Sequence, residues 1–172
     1  VALLSVLTAP DPRLKIKAKP VEAVDDAIRS LMSDMLETMY ANDGMGLAAT
    51  QVGIDKRIIV MDLNAGEEGA PPNVMKFANP EVLWASPETR VEFESCLSVP
   101  DHYGAVERPA KVKVRYLDEN NGSKEIETDG LFAQCIQHEI DHLDGILYID
   151  HLSRLKREII LRKLLKARKL RL

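Results

Sequence analysis

His138 and His142 stand four residues apart with Glu139 between them. On a helix that spacing puts both imidazoles on one face, where they can share one divalent cation beside a carboxylate able to move protons. This is the outline of a hydrolytic metal site, which needs three protein ligands and an open position for water. A third ligand must therefore come from elsewhere. In a metzincin protease it would be a histidine three residues after Gly145, but Tyr148 stands there and His151 falls three residues beyond it. A thermolysin-like protease would use a glutamate from a following helix, and Glu158 is the acid available. Cys135 shares the ligand face but lies seven residues before His142, about 10.5 Å along the axis. It fits a pocket wall better than a ligand. Cys96, in Glu94-Ser95-Cys96-Leu97-Ser98-Val99-Pro100, ends an expected strand and could project a thiolate onto the helix, although a loop cysteine is often a small buried hydrophobe.

The elements that must position these groups are legible from periodicity. Thr128 or Asp129 is the expected cap of the His138 helix and Gly145 its stop. Phe132, Ile136, Ile140 and Leu143 form its core stripe, and Leu131 and Cys135 share the face of the histidines. Ahead of it, Pro10, Pro12 and Pro20 mark an irregular arm. Ile28, Leu31, Met32, Met35, Leu36 and Met39 then recur at helical spacing behind Asp25 or Asp26, a stripe best read as core. Gly44-Met45-Gly46-Leu47-Ala48-Ala49-Thr50-Gln51-Val52-Gly53 lacks the Lys-Ser/Thr ending of a phosphate loop, and it follows a helix and precedes a strand, the reverse of a dinucleotide fingerprint. Strands are expected over 57–63, 74–77, 89–93, 111–116 and 124–127, the last two forming a hairpin about Asn120-Asn121-Gly122. A final helix after Asp150 would turn Leu155, Ile159, Leu164 and Leu165 inward. Strands between separate helices predict an α+β fold, with antiparallel strands around a central metal-binding helix and a long C-terminal helix.

With 172 residues and 45% hydrophobic content, residues 1–172 fit one catalytic domain. The net charge of −4 is uneven: residues 154–172 carry nine Lys or Arg and one acid, or +8, leaving −12 on the rest. The basic helix expected over 153–172 is either a solvated amphipathic surface or a docking element for ribosomal RNA. Two cysteines, Cys96 and Cys135, suit free thiols in a reducing compartment. The apolar opening from Val1 to Leu7 is too short to span a bilayer and lacks a basic leader, so a soluble cytoplasmic protein is expected.

Gly44-x-Gly46-Leu47-Ala48-Ala49-x-Gln51, Cys96-Leu97-Ser98 and Gln137-His138-Glu139-x-Asp141-His142, in this order, resemble the peptide deformylases. Ser95 departs from the family pattern, in which a glycine precedes the cysteine. The resemblance implies a metal held by Cys96, His138 and His142, typically Fe²⁺, with Zn²⁺, Ni²⁺ or Co²⁺ able to take its place. It further implies proton transfer by Glu139, an oxyanion held by Gln51 and the Leu97 N–H, and a formyl-methionyl peptide lying along Gly46. The Met side chain would enter a pocket of Met45, Leu131 and Cys135. Glu94 and Arg108 would form a supporting ion pair behind the cysteine loop. The expected reaction is removal of the N-formyl group from nascent chains, releasing formate.

Overall fold

The computed structural model describes residues 2–170. Helix α1 (Asp26–Ala41) is capped by the Asp25 carboxylate, which accepts from the Ile28 N–H. Seven strands follow: β1 (Gly46–Ala48), β2 (Ile58–Asp62), β3 (Val74–Ala85), β4 (Thr89–Cys96), β5 (Val99–Pro109), β6 (Lys111–Leu117) and β7 (Ser123–Asp129). Helices α2 (Gly130–Leu143) and α3 (Arg154–Leu170) complete the chain. The architecture is α+β, as expected, with every ladder between these strands antiparallel and one isolated parallel bridge between Lys19 and Lys56. One sheet runs β1-β2-β3-β6-β7, and β4 and β5 form a separate two-stranded sheet.

Strand β2 is buried along its whole length because helices cover both faces of its sheet. Ile58 and Val60 point to a cluster with Met32, Met35 and Met39 of α1, whereas Ile59 and Met61 point to a cluster with Ile136, Ile140 and Leu143 of α2. A strand covered on both sides needs no polar alternation, which is why Ile58-Ile59-Val60-Met61 is continuously apolar. The methionines of α1 are core residues, fully excluded from solvent.

Several elements depart from expectation. Strand β3 runs on through Pro80 to Ala85. It passes that residue at a register irregularity between Ala78 and Glu81, with Asn79 at φ 50°, the kind of bulge in which a strand tolerates proline. Strand β4 reaches Cys96 rather than ending at Phe93. Strands β1 and β5 were not anticipated. Helix α2 begins after Asp129, but the Asp129 side chain makes no capping bond. On α3 the buried residues are Ile160 and Leu164, while Leu155, Ile159 and Leu165 are exposed. Ile160 and Leu164 join Val99 and Val106 of β5 and Leu147, Tyr148 and Ile149 in a third cluster. Apolar residues occupy most of the α3 circumference, so packing against β5 chose the inner face.

Candidate metal centre

The end of α2 that carries the histidines is tied down by three distant segments. Thr50 Oγ1 donates to the His142 carbonyl at 3.1 Å, and the Leu143 carbonyl accepts from the Ala18 N–H at 2.7 Å and from Arg57 Nη1 at 3.0 Å. The Leu143 carbonyl is one that a helix end leaves without an intrahelical partner, and the His142 carbonyl takes Thr50 in addition to the Gly145 N–H. Gly145, at φ 76°, ends the helix; a Cβ there would lie 2.5 Å from the Lys15 carbonyl oxygen.

With that end fixed, His138 and His142 face Cys96 from the last residue of β4. Donor atoms of the three side chains all lie within 4.8 Å of one another, and Cys96 Sγ is 3.2 Å from His142 Nε2. Tetrahedral bonds of about 2.0 to 2.3 Å set ligand atoms about 3.3 to 3.8 Å apart, so the cluster is of the right size for one cation. A thiolate and two imidazoles suit a borderline divalent metal. Among the described residues this is the only group of three or more such side chains placed to share an ion. Glu158 is absent from it; that carboxylate accepts from Arg154 at 3.1 Å on the outer surface of α3. Cys135 is also outside it, in contact with Met45 at 3.6 Å.

Glu139 is 6% exposed, and its Oε1 has no hydrogen-bond partner. Burial pushes its carboxyl up to about 7, reinforced by nearby Glu94 and opposed by His138. The backbone of β1 approaches it closely: a Cβ on Gly46 would sit 2.6 Å from Glu139 Oε2. That contact gives one glycine of the Gly-rich segment its physical reason. Five residues on, the Gln51 amide is held at both ends. Its Oε1 accepts from the Ala48 N–H at 2.9 Å, and its Nε2 donates to Ser98 Oγ at 3.1 Å and lies 3.4 Å from Cys96 Sγ.

His142 is fully buried, and its ring is held well below the usual histidine range by burial and by neighbouring His138 and Arg108. That favours the neutral ring that a metal ligand must present. Burial also opposes charge on His138, but hydrogen bonds to Cys96 and Glu94 outweigh it and raise that ring, so the proton it shares with Cys96 is one that a bound cation would displace. His138 Nδ1 lies 2.8 Å from Glu94 Oε1. Despite its burial, Glu94 is lowered to about 2 by His138 and Arg108. The expected pair of Glu94 and Arg108 is present as a two-point fork, at 2.6 and 2.9 Å.

A cavity of about 560 Å³ opens over Cys96, His138 and Glu139. Met45, Gly46, Gln51, Leu97, Leu131, Cys135, His138 and Glu139 line it, as do Cys96 and Ser95. The residues expected to form an apolar pocket thus meet at one place. Burial pushes the Cys135 thiol up to about 12, with Glu139 adding to it, so Cys135 is a neutral wall. Ser95 is exposed at the cavity edge within a strand and does not have a positive φ, so its backbone makes no demand for glycine. Two features were not anticipated: Asp141 and His151 join the ion network around Arg108, and Tyr148 stacks on His138 at 6.2 Å between ring centroids. Asp141 lies inside the quoted motif, but its partner is ten residues further on, across a turn that periodicity does not describe.

Known proteins bear on this arrangement. The family model for polypeptide deformylase matches residues 3–158. The peptide deformylase of Phenylobacterium zucineum is 56% identical over 169 residues, covering 98% of each chain. That of Rhizorhabdus wittichii is 54% identical over 175 residues, covering 99% of this chain and 98% of its own. The crystal structure of peptide deformylase from Ehrlichia chaffeensis superposes with a TM-score of 0.92 at 40% identity, covering 98% of both chains. A second structure of that protein, in complex with actinonin, gives 0.91 at 42% identity over 97% of this chain and 98% of its own. The His-Glu-x-x-His helix, the cysteine strand and the Gly-rich segment all lie inside matches spanning nearly the whole sequence, and the chain belongs to the peptide deformylase family.

Proposed function

We propose that Cys96, His138 and His142 hold the metal of this deformylase, that Glu139 moves the protons, and that Gln51 and the Leu97 N–H receive the developing oxyanion. The reaction is that of the family: hydrolysis of the N-formyl group of nascent polypeptides, which is metal-dependent chemistry. The observation that carries the site assignment is three donor atoms within 4.8 Å of one another, with Cys96, His138 and the buried Glu139 carboxylate lining one cavity and His142 fully buried behind them.

Each step can be assigned to a group. When bound, the ion supplies Lewis-acid activation of water and of the formyl carbonyl. Glu139, poised by burial near neutrality, accepts the proton of the attacking water and returns it to the amide nitrogen as the C–N bond breaks, giving formate and a free amino terminus. Gln51 Nε2, immobilised through Oε1, and the Leu97 N–H donate to the carbonyl oxygen as it gains charge. The peptide lies along β1 at Gly46 as an added strand, with the Met side chain against Met45, Leu131 and Cys135. Glu94, backed by Arg108, holds His138 in the tautomer that leaves Nε2 free to bind.

The ion we propose is Fe²⁺; Zn²⁺, Ni²⁺ and Co²⁺ would accept the same donors. The proposed compartment is the cytoplasm, where nascent chains emerge, and residues 1–172 act as one catalytic unit. Helix α3 exposes Arg154, Lys156, Arg162, Lys163, Lys166, Arg168 and Lys169, which supports contact with ribosomal RNA; residues 171–172 of this basic segment lie outside the described residues. None of the described helices is long and apolar enough to cross a membrane. Charge reversal at Lys163 and Lys166 tests docking better than truncation, because Ile160 and Leu164 belong to a core cluster. Unaltered salt-sensitive ribosome affinity would remove the docking reading. The site itself is tested by formate release from formyl-Met-Ala-Ser alongside metal analysis. Glu139→Ala should lose nearly all turnover with metal retained, and an inactive parent with a full Fe²⁺ or Ni²⁺ site would sink the assignment.

A further inference from the structure

A hydrogen-bonded network leads from the proposed metal ligand His138 to the protein surface. Glu94 Oε1 meets His138 Nδ1 at 2.8 Å, and the Glu94 carboxylate takes Nε and Nη2 of Arg108. The remaining arm of the guanidinium, Nη1, donates to Asp141 Oδ2 at 2.8 Å, and His151 Nε2 lies 2.8 Å from that same oxygen. Side-chain exposure rises along the path, from 3% at Glu94 and 8% at Arg108 to 20% at Asp141 and 37% at His151. His151 is thus where the network meets water. Asp150, its chain neighbour, is engaged separately by Lys15 and Arg157 and does not compete for the imidazole.

We propose that His151 is a positioning residue: by donating its Nε2–H to Asp141 it fixes the outer end of this network, and through Arg108 and Glu94 it holds the ring of His138 at the metal. The inference rests on the reading of Cys96, His138 and His142 as ligands. The physical reason is the partial exposure of Asp141. A carboxylate with one donor and open access to water can turn toward solvent, whereas one held by two donors on the same oxygen keeps Nη1 of Arg108 in place. Arg108 then presents its fork to Glu94 in one orientation, and Glu94 fixes the His138 imidazole. Each link joins a different part of the fold: β4 gives Glu94, β5 gives Arg108, α2 gives Asp141, and the turn over Tyr148–His151 closes the path.

The test uses the full chain reloaded with Co²⁺, following metal loss to a chelator, the cobalt absorption bands and thermal unfolding. His151→Leu removes the donor and should speed metal loss by about tenfold, the low end of effects seen when groups behind metal ligands are removed. It should also shift the cobalt bands. His151→Gln offers an amide N–H from nearly the same place and should restore both to about the parental values. In an Asp141→Asn background, His151→Leu should add nothing, since the two act along one path. Parental metal retention in His151→Leu, equal losses in the Leu and Gln variants, or additive losses in the double variant would each overturn the inference. A parent protein that takes up no Co²⁺ would overturn the metal-centre reading itself, a different failure from that of His151.

Discussion

Replacing Gly46 by alanine should separate activity from stability. The added Cβ would lie 2.6 Å from Glu139 Oε2, against an ordinary contact of at least 3.4 Å, and 3.2 and 3.3 Å from Cδ and Cγ of the same side chain. No backbone atom is among these nearest neighbours. The strain is therefore relieved by moving one flexible carboxylate about 0.8 Å, at small cost to folding. That carboxylate is the proposed proton carrier. A misplacement near 1 Å can cost about 100-fold in rate, or about 2.7 kcal/mol of barrier. We therefore expect kcat for formyl-Met-Ala-Ser to fall about 10- to 100-fold in Gly46→Ala, with metal content at parental level and the unfolding temperature within a few degrees. Gly66→Ala, where nothing lies within 4 Å, should leave turnover unchanged and serves as the control. A Gly46→Ala enzyme with full metal and turnover within about twofold of the parent would refute the reasoning, since it would mean that Glu139 can be displaced without consequence.

Three further outcomes are expected. Gln51→Ala should lower kcat by about 10²- to 10³-fold, the usual effect of losing one oxyanion donor, with little change in KM; a rise in KM alone would make Gln51 a binding residue instead. Cys96→Ala should abolish stoichiometric metal binding, and a strong chelator should reproduce its inactivity in the parent, reversibly on adding Co²⁺ or Ni²⁺; full metal content in Cys96→Ala would remove the thiolate from the ligand set. Away from the site, Asp62 is buried, and hydrogen bonds from Tyr40 and the N–H groups of Asn64 and Asn73 hold its carboxyl below the usual range against the opposing effect of burial. A depressed carboxylate stabilises the fold above its unfolded value and loses that contribution as pH falls through the folded one. Tyr40→Phe should therefore cost about 1.5 to 3 kcal/mol near pH 7, with the difference from the parent shrinking as pH falls below about 4. Denaturant titrations across that range would show it, and a pH-independent difference would point to packing instead.

What could be read from the sequence followed the strength of the local signal. The apolar stripes of α1 and α2 and the continuous run of β2 are patterns with one economical interpretation, and the helical spacing of His138 and His142 survived intact. Strand β1 was hidden because Gly46-Leu47-Ala48 contains no β-branched residue; its extended form comes from pairing with Met61, Val60 and Ile59. Strand β5 contains Pro100 and Gly104 among charged residues, and is ordered by its ladder with β4. The inward face of α3 could not be chosen because Ile159, Ile160 and Leu161 are consecutive, and only docking on β5 distinguishes them. Within the site, Cys96 and Gln51 have no local mark of function; their proximity to the helix is a property of the tertiary fold. The tie between Asp141 and His151 is likewise invisible in spacing, since it depends on the turn after Gly145.

Among the described residues, the β4-β5 hairpin shares no hydrogen-bonded ladder with the five-stranded sheet. Its attachments are the third apolar cluster, the packing of Leu97 in its turn on the cluster of α1, the bond from the Ala9 N–H to the Ser98 carbonyl, and side-chain ties such as that from Arg108 to Asp141. Without a shared ladder, the hairpin is expected to open at a free energy below that of global unfolding, which amide exchange would test. Opening would carry Cys96 away from the two histidines, so an ion bound to all three is a ligand of the closed state alone. By linkage, each tenfold of excess metal over its dissociation constant adds about 1.4 kcal/mol to the cost of opening. Amide exchange in β4 and β5 would then report metal affinity, while exchange in β2, sealed between two helices, would report the fold.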